Sequence, residues 1–248
     1  MGILARAFPS SHTSVTTSEP NASIRTTERL AWLGMLPVAA TALYYALSSR
    51  WQAVTAVQFA PQLLAYLLLS LWAQANPRPI ERIGLTPDLI PEGLRWGLVT
   101  GLILGSLNVT VILWLVPWLG GDILFLLKTP HAQIPVVVML PWFILLIAVV
   151  IEINFRGFLL GRLLALFSGR TPRRYARIHE SLAVAISAIT FSFDPFMVMT
   201  FKHLHWIALW DGLIWGALWI RFRNLYIPIL AHAAEVIVMY IVLRNVLA

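Results

Sequence analysis

The run Val149-Val150-Ile151-Glu152-Ile153-Asn154-Phe155-Arg156-Gly157 places a carboxylate and a guanidinium four residues apart inside an apolar segment reaching from Ile134 to Leu166. A charge at the centre of a lipid-embedded helix costs about 2.5–3.5 kcal/mol on insertion scales, so a chain that keeps an acid and a base there has a use for them. Read as a helix, the run sets Glu152 and Arg156 one turn apart on one face, where they can pair directly. A neutralised ion pair carried through lipid with no chemistry is the plain alternative.

Around this segment the chain is 59% hydrophobic and 12% charged, against roughly 45–50% apolar residues in soluble domains. Further apolar runs cover Leu30 to Ser49, Gln52 to Trp72, Trp96 to Leu119, Ser181 to Thr200, Trp206 to Ile220 and Leu225 to Leu247. A helix needs about 20 residues to cross about 30 Å of hydrocarbon, so most of these runs are near one span. Trp206 to Ile220 is short, and Ile134 to Leu166 is too long for one straight crossing. The expected fold is therefore all-α, a polytopic membrane helix bundle of about seven transmembrane helices.

Lys and Arg stay on the cytoplasmic side during insertion. The tail and alternate loops hold Arg6, Arg25 and Arg29; Arg78, Arg82 and Arg95; Arg162, Arg170, Arg173, Arg174 and Arg177; and Arg221 and Arg223. The opposite side holds Arg50, Lys128, Lys202 and Arg244. Thirteen against four predicts a cytoplasmic N-terminus and an outer C-terminus. The net charge of +7 lies in separate juxtamembrane loops, which fits anionic headgroups of a lipid bilayer and excludes nucleic acid as the partner. With no cysteine there is no disulfide, thiolate metal site or Cys nucleophile.

Residues 1–29 are rich in Ser and Thr without apolar periodicity, the pattern of a disordered cytoplasmic tail. Residues 30–248 read as the transmembrane domain. Gly2-Ile3-Leu4-Ala5 is too short for the apolar core of a signal peptide, so the first span is expected to remain as an anchor. Gly97-x-x-x-Gly101-x-x-x-Gly105, Gly157-x-x-x-Gly161 and Gly212-x-x-x-Gly216 line small residues along single helix faces, which predicts close packing within the bundle, with dimerisation as the alternative.

A second polar cluster, His232 and Glu235, falls in the last span. Their spacing of three puts imidazole and carboxylate on one face, where the acid can fix the ring tautomer or both can hold a water or a metal. Asp194 and Asp211 add acids to the fifth and sixth spans. Asp194 reaches the same cavity if Pro195 kinks its helix. His203 and His205, between those spans, are expected at the outer rim, away from the site.

The motif Ile151-Glu152-Ile153-Asn154-Phe155-Arg156-Gly157 resembles the Glu-Glu-x-x-x-Arg motif of the CAAX prenyl endopeptidase and bacteriocin-processing family (CPBP, also called Abi). The stretch from Gly212 through Arg223-Asn224-Leu225-Tyr226 to His232 is similar to its third motif region, and Ile83-Gly84-Leu85 to its lead-in. The resemblance implies a protease-like core over about residues 83–240, in an intramembrane endopeptidase that hydrolyses a membrane-anchored protein or peptide. In the family the first Glu is the one assigned to activate water; the roles expected for this chain are Glu152 as base in its place, His232 as its partner or an oxyanion donor, and Arg156 orienting the carboxylate. Asp194 and Glu235 would stand in for missing groups, because the family's first Glu corresponds to Ile151, the second-motif His to Pro195, and the Asn or Asp after His232 to Val236. A divalent metal such as zinc is open, since His232, Glu235 and Glu152 can supply three ligands. The expected location is a bacterial cytoplasmic membrane. Two competitors stand beside the enzyme: an inactive pseudoprotease that binds a membrane partner, and a transporter, for which no inverted repeat is evident.

Overall fold

The computed structural model describes residues 28–168 and 173–247. The expected disordered tail lies outside them except for Glu28 and Arg29. Among the described residues the fold is entirely helical. Its main helices are α1 (Ala31–Tyr44), α2 (Ala60–Ala75), α3 (Ile90–Thr110, continuing to Trp118), α4 (Val136–Phe167), α5 (Ala176–Ser192), α6 (Pro195–Phe201), α7 (Ile207–Phe222) and α8 (Tyr226–Leu247).

Among the described residues three helices are long and apolar enough to cross a membrane, fewer than the seven expected: Pro79–Trp118, Val136–Phe167 and Tyr226–Leu247. The pair α5 and α6 with its following turn, bent by 53°, passes the same test only when taken together, as a broken span or a re-entrant loop. The other runs gave shorter helices. The expected second span from Gln52 begins as two short turns, Ser49–Gln52 and Thr55–Gln58, before α2 starts around Pro61, whose missing N–H suits a first helical turn. At 16 residues α2 and α7 reach about 24 Å, below the full hydrocarbon thickness.

The long fourth run is divided as its length demanded. Leu140 takes extended angles (φ −104°, ψ 127°) ahead of Pro141, as the residue before a proline favours. Past Glu152 the helix widens into π-type turns over Ile153–Leu160, and Asn154 through Leu160 are all buried. Such widenings concentrate at functional sites. Here Ser187 of α5 donates to the Phe155 carbonyl inside the widened stretch, 3.0 Å away.

Glycine sets the closest helix contact. α3 runs along α8 with Gly93, Gly97, Gly101 and Gly105 facing Tyr226, Leu230, Ala234 and Val238. A methyl on Gly97 would sit 2.7 Å from the Leu230 Cβ, and one on Gly105 would sit 2.9 Å from the Val238 Cβ. The glycine stripes thus serve packing inside one bundle, as do Gly157 against Leu225 and Gly216 against Val184. The lead-in is used in the same way. Gly84, at φ 83°, offers its carbonyl to the Leu225 N–H, and Ile83 offers its own to Trp219 Nε1.

Arg162, counted above among the loop cations, is a correction. It is buried within α4, paired with Glu28 and stacked over the Trp72 ring at 3.6 Å. A carboxylate and an aromatic face replace the water a loop would have supplied. Trp72 Nε1 donates to the same Glu28 oxygen at 3.0 Å, which ties α2, α4 and the start of α1 together.

Candidate functional site

α4, α5, α7 and α8 converge on a buried polar core. Glu152 and Arg156 of α4 are both 0% exposed. Arg156 Nη1 reaches Glu152 Oε1 at 3.0 Å, and His232 Nδ1 meets the same oxygen at 2.9 Å. Helical spacing accounts for the Glu152–Arg156 pair, whereas the carboxylate on the His232 ring is Glu152 and not the neighbouring Glu235, which bonds to Asn108 instead. Two devices hold it. The His232 ring stacks on Trp215 of α7, with centroids 4.7 Å apart and planes 20° apart. The Arg156 guanidinium lies 4.6 Å from the Phe191 ring centre and 5.0 Å from that of Trp215. Gly212 makes room for it, since a methyl there would come within 3.2 Å of Arg156 Nη2.

Next to this lies a second group, one member of which the sequence did not suggest. Asn108 of α3 donates from Nδ2 to Glu235 Oε1 at 2.8 Å and to the two oxygens of Asp211 at 3.3 and 3.2 Å. Trp210 Nε1, a donor only, bonds to Asn108 Oδ1 at 3.0 Å. That contact fixes which end of the amide is which and leaves the NH₂ for the acids. The carboxyls of Asp211 and Glu235 also lie within hydrogen-bonding reach of each other. The only sequence signal for Asn108 was an amide within the glycine-rich third run.

Both groups border a cavity of about 740 Å³, lined mainly by apolar side chains. His232, Asp211, Glu235, Trp215 and Asp194 line it, together with Ile151 and Val236; Glu152 and Arg156 do not. The cavity follows α8 from His232 to Leu247, about 22 Å of helix, and reaches Arg244, whose Nη1 contacts the Ala132 carbonyl at 3.4 Å. At that end burial pushes the His131 imidazole below its ordinary pKa. Its ring packs on Phe196 and Phe201.

Asp194 reaches the cavity because the chain bends at Pro195, but its Oδ1 is occupied. It caps α6, accepting from the N–H groups of Phe196 (3.1 Å) and Met197 (3.3 Å) and from Gln62 Nε2 (2.9 Å). His203 and His205 are outside the cavity lining, and His205 Nδ1 sits 3.1 Å from the Ser192 carbonyl. As metal ligands His232, Glu152 and Glu235 do not form a set. Glu152 Oε1 is shared by Arg156 and His232, Glu235 is on Asn108, and among the described residues no three His, Asp or Glu groups could hold a metal ion.

Several buried polar atoms find no hydrogen-bond partner among the described residues: Glu152 Oε2, Arg156 Nε and Nη2, and Trp215 Nε1. Buried donors and acceptors are otherwise nearly always paired, so these atoms are the ones in the polar core open to a further partner.

No curated protein and no solved structure matches the chain. The stretch that carries every acid and imidazole of the site does match a family model: residues 133–238 are identified with the type II CAAX prenyl endopeptidase Rce1-like family, a family of proteases.

Proposed function

We propose that this protein is an intramembrane endopeptidase of the CAAX-processing type, hydrolysing a peptide bond in a membrane-anchored protein or peptide. The observation that carries this reading is the 2.9 Å contact between Glu152 and a His232 that borders the cavity while Glu152 does not. With Nδ1 committed to the carboxylate, Nε2 is the ring nitrogen left to work on the cavity side. The Glu152–Arg156 pair fixes the tautomer and supports the imidazolium that forms.

In the first step His232 Nε2 takes a proton from water as the oxygen attacks the scissile carbonyl carbon. In the second it returns that proton to the leaving amine as the C–N bond breaks. Glu152 is thereby the orienting carboxylate, and His232 the group that moves the proton. Asp194 and Glu235 add acidity to the cavity wall. No step passes through a metal ion.

The reading extends to topology: seven crossings over residues 30–248, with the N-terminus cytoplasmic in a bacterial inner membrane and the cavity reaching toward the outer end of α8. A long apolar cavity suits an extended peptide carrying a lipid chain. The test is cleavage of a farnesylated CAAX peptide in lipid vesicles by wild type, Glu152→Gln and His232→Ala. Loss in both variants supports hydrolysis at this site, and unchanged processing in both removes it.

One observation favours a second reading. Ile151 and Val236, standing where the family has polar residues, both line the cavity. A pseudoprotease would keep the bundle and the cavity and bind the same lipid-bearing peptide without cleaving it. Saturable binding with no product from wild type selects this reading.

A further inference from the structure

We propose that the Asp211–Glu235 pair, held by Asn108, is the acid that protonates the carbonyl oxygen of the peptide under attack. This rests on the hydrolytic reading above and gives Glu235, together with Asp211 and Asn108, a defined chemical step.

Hydrolysis needs a donor for the developing oxyanion. His232 is taken up as the base, and the positions where the resemblance has further polar groups, 195 and 236, hold Pro and Val. Of the other polar residues lining the cavity, Gln62 and Asp194 are bonded to each other, and Thr129, His131, Tyr240 and Arg244 belong to its far end. Asp211, Glu235 and Trp215 remain. Glu235 is one helical turn from His232, Trp215 stacks on the His232 ring, and Asp211 shares Asn108 with Glu235.

Two acids on one amide are by themselves a structural motif. What points to a ligand is the set of free buried donors beside them. Trp215 Nε1 and Arg156 Nη2 have no partner among the described residues, and Arg156, fully buried, is in electrostatic contact with both acids. Two carboxyls within hydrogen-bonding reach share one proton, which leaves the pair with one negative charge facing the arginine. That proton is held on carboxyl groups lining the cavity one helical turn from His232.

The step balances. His232 Nε2 takes a proton from water and the O–H adds to the carbonyl carbon. The carbonyl π pair moves to oxygen, which takes the shared proton from the acid pair and gives a gem-diol. On collapse a diol O–H returns its proton to the pair, the C–N bond breaks, and the amine nitrogen takes the proton held by His232. Water and peptide give acid and amine, with both groups restored.

The test is the pH dependence of cleavage of the farnesylated CAAX peptide by the full chain in vesicles, for wild type, Asp211→Asn, Glu235→Gln and Glu235→Asp. Either neutral variant should cut the rate by about 10²–10⁴. Both should lose the alkaline decline that wild type shows as the pair gives up its proton, and Glu235→Asp should recover part of the rate. Wild-type cleavage with neither neutral variant impaired, or with the alkaline decline intact in both, overturns the proposal and leaves the hydrolytic reading standing. No cleavage by wild type overturns both. Because a neutral variant can fail to assemble, infrared absorption of the wild type at neutral pH is the second measurement. A protonated-carboxyl band is expected, and its absence overturns the shared proton.

Discussion

His232 Nδ1 and Arg156 Nη1 converge on one oxygen of Glu152, at 2.9 and 3.0 Å, while the second oxygen has no partner among the described residues. One carboxylate thus neutralises a guanidinium and aligns an imidazole in a core that excludes bulk water. Removing a single member leaves the others unbalanced.

Arg156→Met should therefore be costly to stability. It leaves Glu152 buried without its cation, and breaking a buried pair this way costs about 3–5 kcal/mol. Thermal unfolding in detergent should show a large fall in Tm. A variant as stable as wild type would mean that Glu152 does not carry its charge alone.

Gly101→Ala probes the helix seam behind the site. The added methyl would lie 2.7 Å from the Ala234 Cβ, and backbone atoms of Ala231 block retreat. Overpacking of this kind costs about 1–3 kcal/mol. Because α8 carries His232 and Glu235, cleavage should fall along with stability. Gly120→Ala meets nothing within 4 Å, though its φ of 82° strains any side chain, so it should cost only about 1 kcal/mol.

The seam, the Glu152–Arg156 pair and the shared face of His232 and Glu235 were legible in the sequence because their signals are local, whereas the meeting of His232 with Glu152 across 80 residues was not. Glycines every four residues, an acid and a base four apart, and a His and a Glu three apart each declare a helix face. The acid pair was not. Asn108 meets Asp211 across 103 residues and Glu235 across 127, and no window of sequence contains both partners. The widening of α4 past Glu152 was hidden for another reason: Ile153 to Leu160 is as compatible with ordinary helix as with π-type turns, and packing against α5 decides. Arg162 was misread because charge alone suggested a loop, whereas Glu28 and Trp72, far away in sequence, provide its partners.

Asp194 separates capping from charge. Asp194→Ala should lose about 0.5–2 kcal/mol with the α6 cap, whereas Asp194→Asn keeps a capping oxygen and should unfold like wild type. Cleavage by the Asn variant then reports the cavity-wall charge alone, and a severalfold loss is expected. Equal unfolding of both variants would show that the cap adds nothing.

Cleavage should persist in the presence of a strong divalent-metal chelator, because Glu152, His232 and Glu235 are engaged with Arg156, with each other and with Asn108. Loss of activity on chelation, restored by zinc, would contradict a reaction carried by side chains.

The most direct test is a double-mutant cycle on cleavage of the farnesylated CAAX peptide, with wild type, Glu152→Gln, His232→Ala and the double variant at equal vesicle loading. If Glu152 acts through His232, each single change lowers the rate by about 10²–10⁴ and the double variant is no slower than His232→Ala alone. Additive losses, or a single variant that cleaves at the wild-type rate, would contradict a carboxylate and imidazole working as one unit.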